Sequence, residues 1–175
     1  MTIAIYPATF DPITNGHIDI AMRAAVIFER VIACVYDRPL KNLMFSPQER
    51  LDMTRLALAH LPTVSVELYH ELTASFAQKM GAKVIVRGLR VMSDFEWELQ
   101  LAMVNRRLAP DIDTLCLMAS QEYSFLSSSV VKEVFSNGGD VEALAPPHVV
   151  AALEKKFRSL GSEASGRVKL VSLRD

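Results

Sequence analysis

The chain has 175 residues, of which half are hydrophobic and 22% charged, and its formal net charge is −1. That length suits one domain with a real core and is short for two. The balanced charge excludes a global positive field for nucleic acid or an anionic membrane, so any anion must be met by a local cluster. No segment reaches the roughly 18 unbroken apolar residues of a membrane span. The opening MTIAIYPATF lacks the basic lead and long apolar run of a signal peptide, so a soluble cytoplasmic protein is expected.

Five short apolar runs, rich in Val and Ile, alternate with helical stretches, as strands covered on both faces would. The first, at 2–6, leads past Gly16 to a helix over 17–28. The second, at 31–36, is followed by a helix over 47–60 that opens with Ser46-Pro47-Gln48-Glu49, a capping box with proline at the first helical position. The third, at 64–68, precedes a helix over 73–80 that stops at Gly81, a C-terminal cap. The fourth, at 83–86, precedes a helix over 94–108 whose Ser93-Asp94-Phe95-Glu96 start reads as a second capping box. The fifth, at 114–118, precedes a helix over 128–136 behind a serine run, and the Pro146-Pro147 break introduces a last helix over 148–158.

This order predicts a single Rossmann-like α/β domain over 1–160, a five-stranded parallel sheet with helices on both faces and right-handed crossovers. The Gly/Ser/Ala-rich residues 161–175 read as a mobile tail with room for a short strand at VKLVSL. Cys34 and Cys116 sit in apolar runs far apart, and are expected as buried, reduced thiols.

In such a sheet ligands bind beyond the carboxyl ends of the strands, where helix N-termini present free N–H groups. Four segments at that edge carry unusual chemistry. Thr9-Phe10-Asp11-Pro12-Ile13-Thr14-Asn15-Gly16-His17 turns through Asp-Pro and Asn-Gly and puts a histidine at a helix start, beside any anion bound there. Arg38-Pro39-Leu40-Lys41 lies on the loop after the second strand; a loop lysine alone is ordinarily just solvated. Arg87-Gly88-Leu89-Arg90, followed by Asp94, Glu96 and Glu98, offers guanidinium forks for oxyanions, against the plainer reading of surface salt bridges. Tyr123-Ser124-Phe125-Leu126-Ser127-Ser128-Ser129 precedes a helix; one serine caps it in any protein, and the run with its free N–H groups also makes a phosphate cradle. His60, His70 and His148 lack metal-ligand spacing, Trp97 reads as packing, and neither a Gly-x-Gly-x-x-Gly nor a P-loop pattern occurs.

Together these motifs resemble the nucleotidylyltransferase superfamily, whose signature ends in Gly-His. Thr14, RGLR with DFE.E, and the SFLSSS run are similar to the phosphopantetheine adenylyltransferase branch over residues 2–158. The resemblance implies adenylyl transfer from ATP to 4′-phosphopantetheine, giving dephospho-coenzyme A and pyrophosphate with Mg²⁺. It implies catalytic roles for His17, Lys41 and Arg90, and phosphopantetheine contacts from Thr9, Lys41, Thr73 and Arg87. The ATP site would comprise Thr9, Phe10, His17, Gly88, Leu89, Arg90, Glu98, Tyr123, Ser124, Phe125, Leu126, Ser127, Ser128 and Ser129. It further implies a homohexamer and coenzyme A as a candidate feedback inhibitor. The sequence departs from the family pattern at Ala8, where glycine is usual, and at Thr73, where an apolar pantetheine contact is usual. Two other readings stay open: a pyridine-nucleotide or glycerol-phosphate nucleotidylyltransferase, and a non-catalytic nucleotide-binding regulator.

Overall fold

Strands β1 (Ile3–Ala8), β2 (Arg30–Tyr36), β3 (Val64–Tyr69), β4 (Val84–Leu89) and β5 (Asp113–Met118) form one sheet in the order β3-β2-β1-β4-β5, every pairing parallel. They alternate with helices α1 (Asn15–Ile27), α2 (Pro47–Leu58), α3 (Thr73–Lys79), α4 (Met92–Leu108), α5 (Ser128–Ser136) and α6 (Pro147–Glu163). The computed structural model describes residues 2–39 and 43–163, with side chains as far as 159.

The pleat sends alternate strand residues to opposite faces. In β1, Ala4 and Tyr6 join a large core with residues of α1, α2, α5 and α6, whereas Ile5 joins a smaller core with Phe76 of α3 and with Ala109 and Ile112 beyond α4. Helices therefore cover both faces, unevenly. Buried β2 residues such as Val31, Ile32 and Cys34 account for the unbroken apolar run there.

Several elements depart from their expected bounds, each for a local reason. Strand β4 runs on through Gly88 and Leu89, because these pair in register with Leu117 and Met118 of β5 and so satisfy their backbone groups. Arg87-Gly88-Leu89 is thus strand rather than loop. Helix α1 starts two residues early, because the Thr14 side chain accepts the His17 N–H and makes Thr14 the N-cap. Ser46 and Glu49 do form the capping box on α2. The second expected box does not form: α4 begins at Met92 behind Val91, so Ser93 already lies inside the helix rather than at its cap, and no side chain caps it. Asp94 pairs instead with the Arg90 guanidinium and backbone N–H. Gly81 has the positive φ of +66° expected of a helix stop. Helix α6 continues to Glu163, past the expected domain boundary at 160, and the remaining expected tail, with its strand at VKLVSL, lies outside the described residues.

The expectation of strands covered on both faces fails at β5, whose residues are all partly exposed or exposed, so Cys116 is half-buried whereas Cys34 is fully buried. Trp97, expected as packing, is 61% exposed, and with Met92, Phe95, Leu99 and Met103 leaves α4 with an apolar outer surface.

Leu153 of α6 is fully buried in the larger core. Leu153→Ala is expected to destabilise the domain by about 2–5 kcal/mol through lost transfer energy and a residual cavity. Denaturant unfolding checks this, and a change near zero would mean that α6 is not part of the cooperative core.

Candidate active site

Strand β1 has β2 on one side and β4 on the other, so the winding of the chain reverses beside it. Crossover connections diverge at such a reversal and leave a crevice at the carboxyl ends of the strands. A cleft of about 310 Å³ opens there, between the ends of β1 and β4 and the start of α5. It brings together Thr9, Phe10, His17, Arg87, Gly88, Arg90, Glu98, Tyr123, Leu126, Ser127, Ser128 and Ser129 from three separated stretches of sequence. Of the other expected site residues, Thr73, Leu89, Ser124 and Phe125 are not in its lining, and Lys41 lies outside the described residues. Thr73 begins α3, with its hydroxyl 3.1 Å from the Tyr69 hydroxyl. Leu89 is buried, and Phe125 is turned to solvent.

His17 is held in one orientation by the cap of its own helix. It occupies the third helical position, where a capping box ordinarily has Glu or Gln, and its Nδ1 accepts the Thr14 backbone N–H at 3.1 Å, with Thr14 Oγ1 2.9 Å away. An accepting Nδ1 places the proton of the neutral ring on Nε2. The ring plane is set further by an edge-on contact with Phe10, centroids 5.2 Å apart. Phe10 itself has a φ of +50°, a costly conformation for a bulky residue, held by the surrounding packing.

The two arginines of β4 and its exit are each paired with a carboxylate of α4. Arg87 grips Glu98 with a fork, Nε to Oε2 at 2.7 Å and Nη2 to Oε1 at 2.5 Å, and also donates to the Pro7 carbonyl. Burial opposes the charge on Arg87, but the Glu98 carboxylate more than offsets it and holds the pKa above the ordinary value. Three of the five guanidinium N–H groups are thereby used, and two are left over. Arg90 grips Asp94 through Nε at 3.0 Å and Nη2 at 3.1 Å, and reaches the Leu126 carbonyl with Nη1 at 3.3 Å. Burial would raise the Asp94 pKa, but the Arg90 bonds hold it below the usual carboxylate range. Glu98, expected at the nucleotide, is in this structure the partner of Arg87. Helical spacing reveals why both pairs form: Asp94 and Glu98 are one turn apart and face β4 together.

The serine run divides its work. Ser127 caps α5, its hydroxyl accepting the Val130 N–H at 3.1 Å, and Ser128 donates to the Pro12 carbonyl at 2.7 Å. Ser128 and Ser129, in the first turn, present N–H groups that have no intrahelical acceptor. A Cβ on Gly88 would come within 3.2 Å of Ile20 Cγ1, so β4 packs closely on α1 there and a larger residue would push on the Ile20 side chain. Among the described residues, no group of three or more His, Cys, Asp or Glu side chains could hold a metal ion.

Beyond the expected residues, Thr14, Ile20, Asp94 and Ala119 also line the cleft. Thr14 was legible from its place before Asn-Gly-His. Ile20 and Ala119 carry no chemical signal and are recognisable only from the folded chain.

A cytidylyltransferase-like family model matches residues 5–134. A phosphopantetheine adenylyltransferase of Roseiflexus sp. (strain RS-1) is 54% identical over 157 residues, covering 90% of this chain and 98% of the relative. Another from Herpetosiphon aurantiacus is 48% identical over 159 residues, covering 91% and 96%. Among solved structures, a lipopolysaccharide core biosynthesis protein from Thermoplasma volcanium shares the fold, with a TM-score of 0.52 at 19% identity over 69% of this chain and 97% of its own. With identity of this extent along nearly its whole length, the chain belongs to the phosphopantetheine adenylyltransferase family, within the cytidylyltransferase-like fold.

Proposed function

We propose that this protein transfers the adenylyl group of ATP to 4′-phosphopantetheine, yielding dephospho-coenzyme A and pyrophosphate in coenzyme A synthesis, by direct in-line attack of the substrate phosphate on the α-phosphorus. The observation that carries this reading is the convergence on one cleft of an oriented imidazole, two arginines and a helix N-terminus. A phosphate monoester, with a second pKa of about 6, is already an anion at neutral pH and needs no strong general base. What the reaction needs is cations and N–H donors that let several phosphates approach, held with reacting atoms about 3–3.5 Å apart.

The proposed roles follow the chemistry of each group. His17 donates from Nε2 to the transferring phosphoryl group. Ser128 and Ser129 cradle the ATP phosphates with backbone N–H groups, Arg90 adds charge beside them, and Gly88, Leu89, Tyr123 to Leu126 and Glu98 border the nucleotide. Thr9 and the remaining N–H groups of Arg87 take the phosphopantetheine phosphate, with Lys41 joining them by its place in the motif and Thr73 toward the pantetheine arm. Asp94 and Glu98 are engaged by arginines. Mg²⁺ therefore enters as the counter-ion of ATP, part of the substrate, and neutralises phosphate charge there. Coenzyme A, which carries the product's groups, is on the same reading a feedback ligand of this site.

Self-association, as a homohexamer, belongs to the same reading. Its support is the apolar outer surface of α4 beside the half-covered β5. Met103→Glu, at a site 66% exposed, is expected to lower the mass seen by sedimentation while the subunit stays folded. An unchanged mass would remove α4 from the interface. No helix among the described residues is long and apolar enough to cross a membrane, and the cytoplasm, where ATP is abundant, is the proposed compartment.

Pyrophosphate release from ATP, measured with and without 4′-phosphopantetheine, tests the activity: release is expected only with it. Labelled pyrophosphate should not exchange into ATP in the absence of phosphopantetheine and dephospho-coenzyme A. Exchange at a rate comparable to turnover would instead reveal an adenylyl-enzyme and end the direct mechanism. His17→Ala should fold normally and lose about 10²–10³ in turnover, the cost of removing one preorganised donor to developing charge. Near-normal turnover would remove His17 from the centre of the reaction.

A further inference from the structure

The β1–α1 loop lines the cleft with Thr9, Phe10 and Thr14, but Asp11 between them points the other way. Asp11 is 2% exposed and is absent from the cleft lining. Three donors from two distant segments converge on it. The Met44 N–H reaches Oδ2 at 3.1 Å and the Phe45 N–H reaches Oδ1 at 2.9 Å, both from the segment three residues beyond Lys41 in sequence. The third is Lys132 Nζ of α5, 2.7 Å from Oδ2 in a pair shielded from solvent.

On its other side the loop is anchored by Arg50, itself fully buried, which donates to the Thr9 carbonyl at 2.6 Å and the Tyr36 carbonyl at 2.7 Å. Ser128, at the start of α5, is fastened to the Pro12 carbonyl. Phe10, between these anchors, keeps its positive φ, a conformation that persists only where the surroundings hold it.

We propose that Asp11 is a positioning residue for the transfer: one buried carboxylate ties the segment after Lys41 and the serine-bearing helix α5 to the loop that carries Thr9 and His17, and so sets the spacing of the two phosphate-binding halves. This rests on the proposed activity, in which those halves hold phosphopantetheine and ATP. A carboxylate suits the task because it accepts two N–H groups and a cation at once, in a setting where an unpaired charge would be costly. Asp11 touches neither substrate and acts only through the groups it holds.

The test uses Asp11→Asn and Lys132→Met in the full chain, read by kcat at saturating ATP and phosphopantetheine and by hydrogen exchange. Asp11→Asn keeps the shape but loses the charge, and a shift of about 1 Å between reacting groups is expected to lower kcat about 10–100-fold. Lys132→Met removes the same link from the other end, so the double variant should be no slower than the slower single one. In Asp11→Asn, amides at Met44 and Phe45 and those of Val130 and Val131, bonded to Ser127 at the start of α5, should lose protection together. Additive losses in kcat, or a lowered melting temperature with unchanged kcat and unchanged protection at those amides, would overturn the proposal. If Asp11→Asn does not fold, Lys132→Met alone carries the test: loss of protection at Met44 and Phe45, far from the substituted residue in sequence, supports the coupling, and its absence overturns it. A wild-type protein that releases no pyrophosphate with phosphopantetheine sinks the activity alone, since the exchange readout of the coupling needs no substrate.

Discussion

The reversal of the sheet at β1 is the constraint on which the site depends. A parallel strand must be reached by a crossover, and the crossovers of this chain wind one way through β1, β2 and β3 and the other way through β4 and β5. At the reversal the neighbouring crossovers diverge, so a crevice remains. Into it come the exit of β1, the exit of β4 and the start of α5. Each brings a different resource: an oriented imidazole, a pair of arginines, and free backbone N–H groups.

Those resources are held by the protein's own contacts, and most of these are polar. His17 is aligned by the cap of its own helix, Arg87 and Arg90 by carboxylates one turn apart on α4, and the β1–α1 loop by Arg50 from one side. A cleft that gathers several phosphates needs donors that do not reorganise as charge develops. Pairing each arginine with a carboxylate costs some of its positive charge toward a ligand. In return the guanidinium plane is held, and N–H groups not engaged by the carboxylate stay available.

The two faces of the sheet serve different ends. One carries α1, α2, α5 and α6 over a continuous core that supports the cleft. The other has a smaller core around α3 and leaves β5 and the outer surface of α4 half-covered. Only Glu98 of the 17 residues of α4 is buried, and it is the residue that holds Arg87. That helix thus joins the site to the surface proposed for self-association, with Trp97 exposed beside the buried Glu98.

Much of this was determined by the sequence alone. The order of strands and helices follows from local periodicity, and the cap at Ser46 and the stop at Gly81 follow from turn chemistry, which depends on a few adjacent residues. Three of the segments at the ligand edge, those that meet in the cleft, were likewise legible, since a strand's carboxyl end is known once the strand is. What only the tertiary structure decided is which charge meets which. The sequence places Asp94, Glu96 and Glu98 together behind two arginines without assigning partners; folded, Asp94 holds Arg90 and Glu98 grips Arg87. Asp11 and Lys132 are 121 residues apart, with nothing in either neighbourhood to announce the other. Hydrophobic periodicity is a property of a single segment and survives in the sequence, whereas an ion pair belongs to two segments and exists only after the sheet has brought them together.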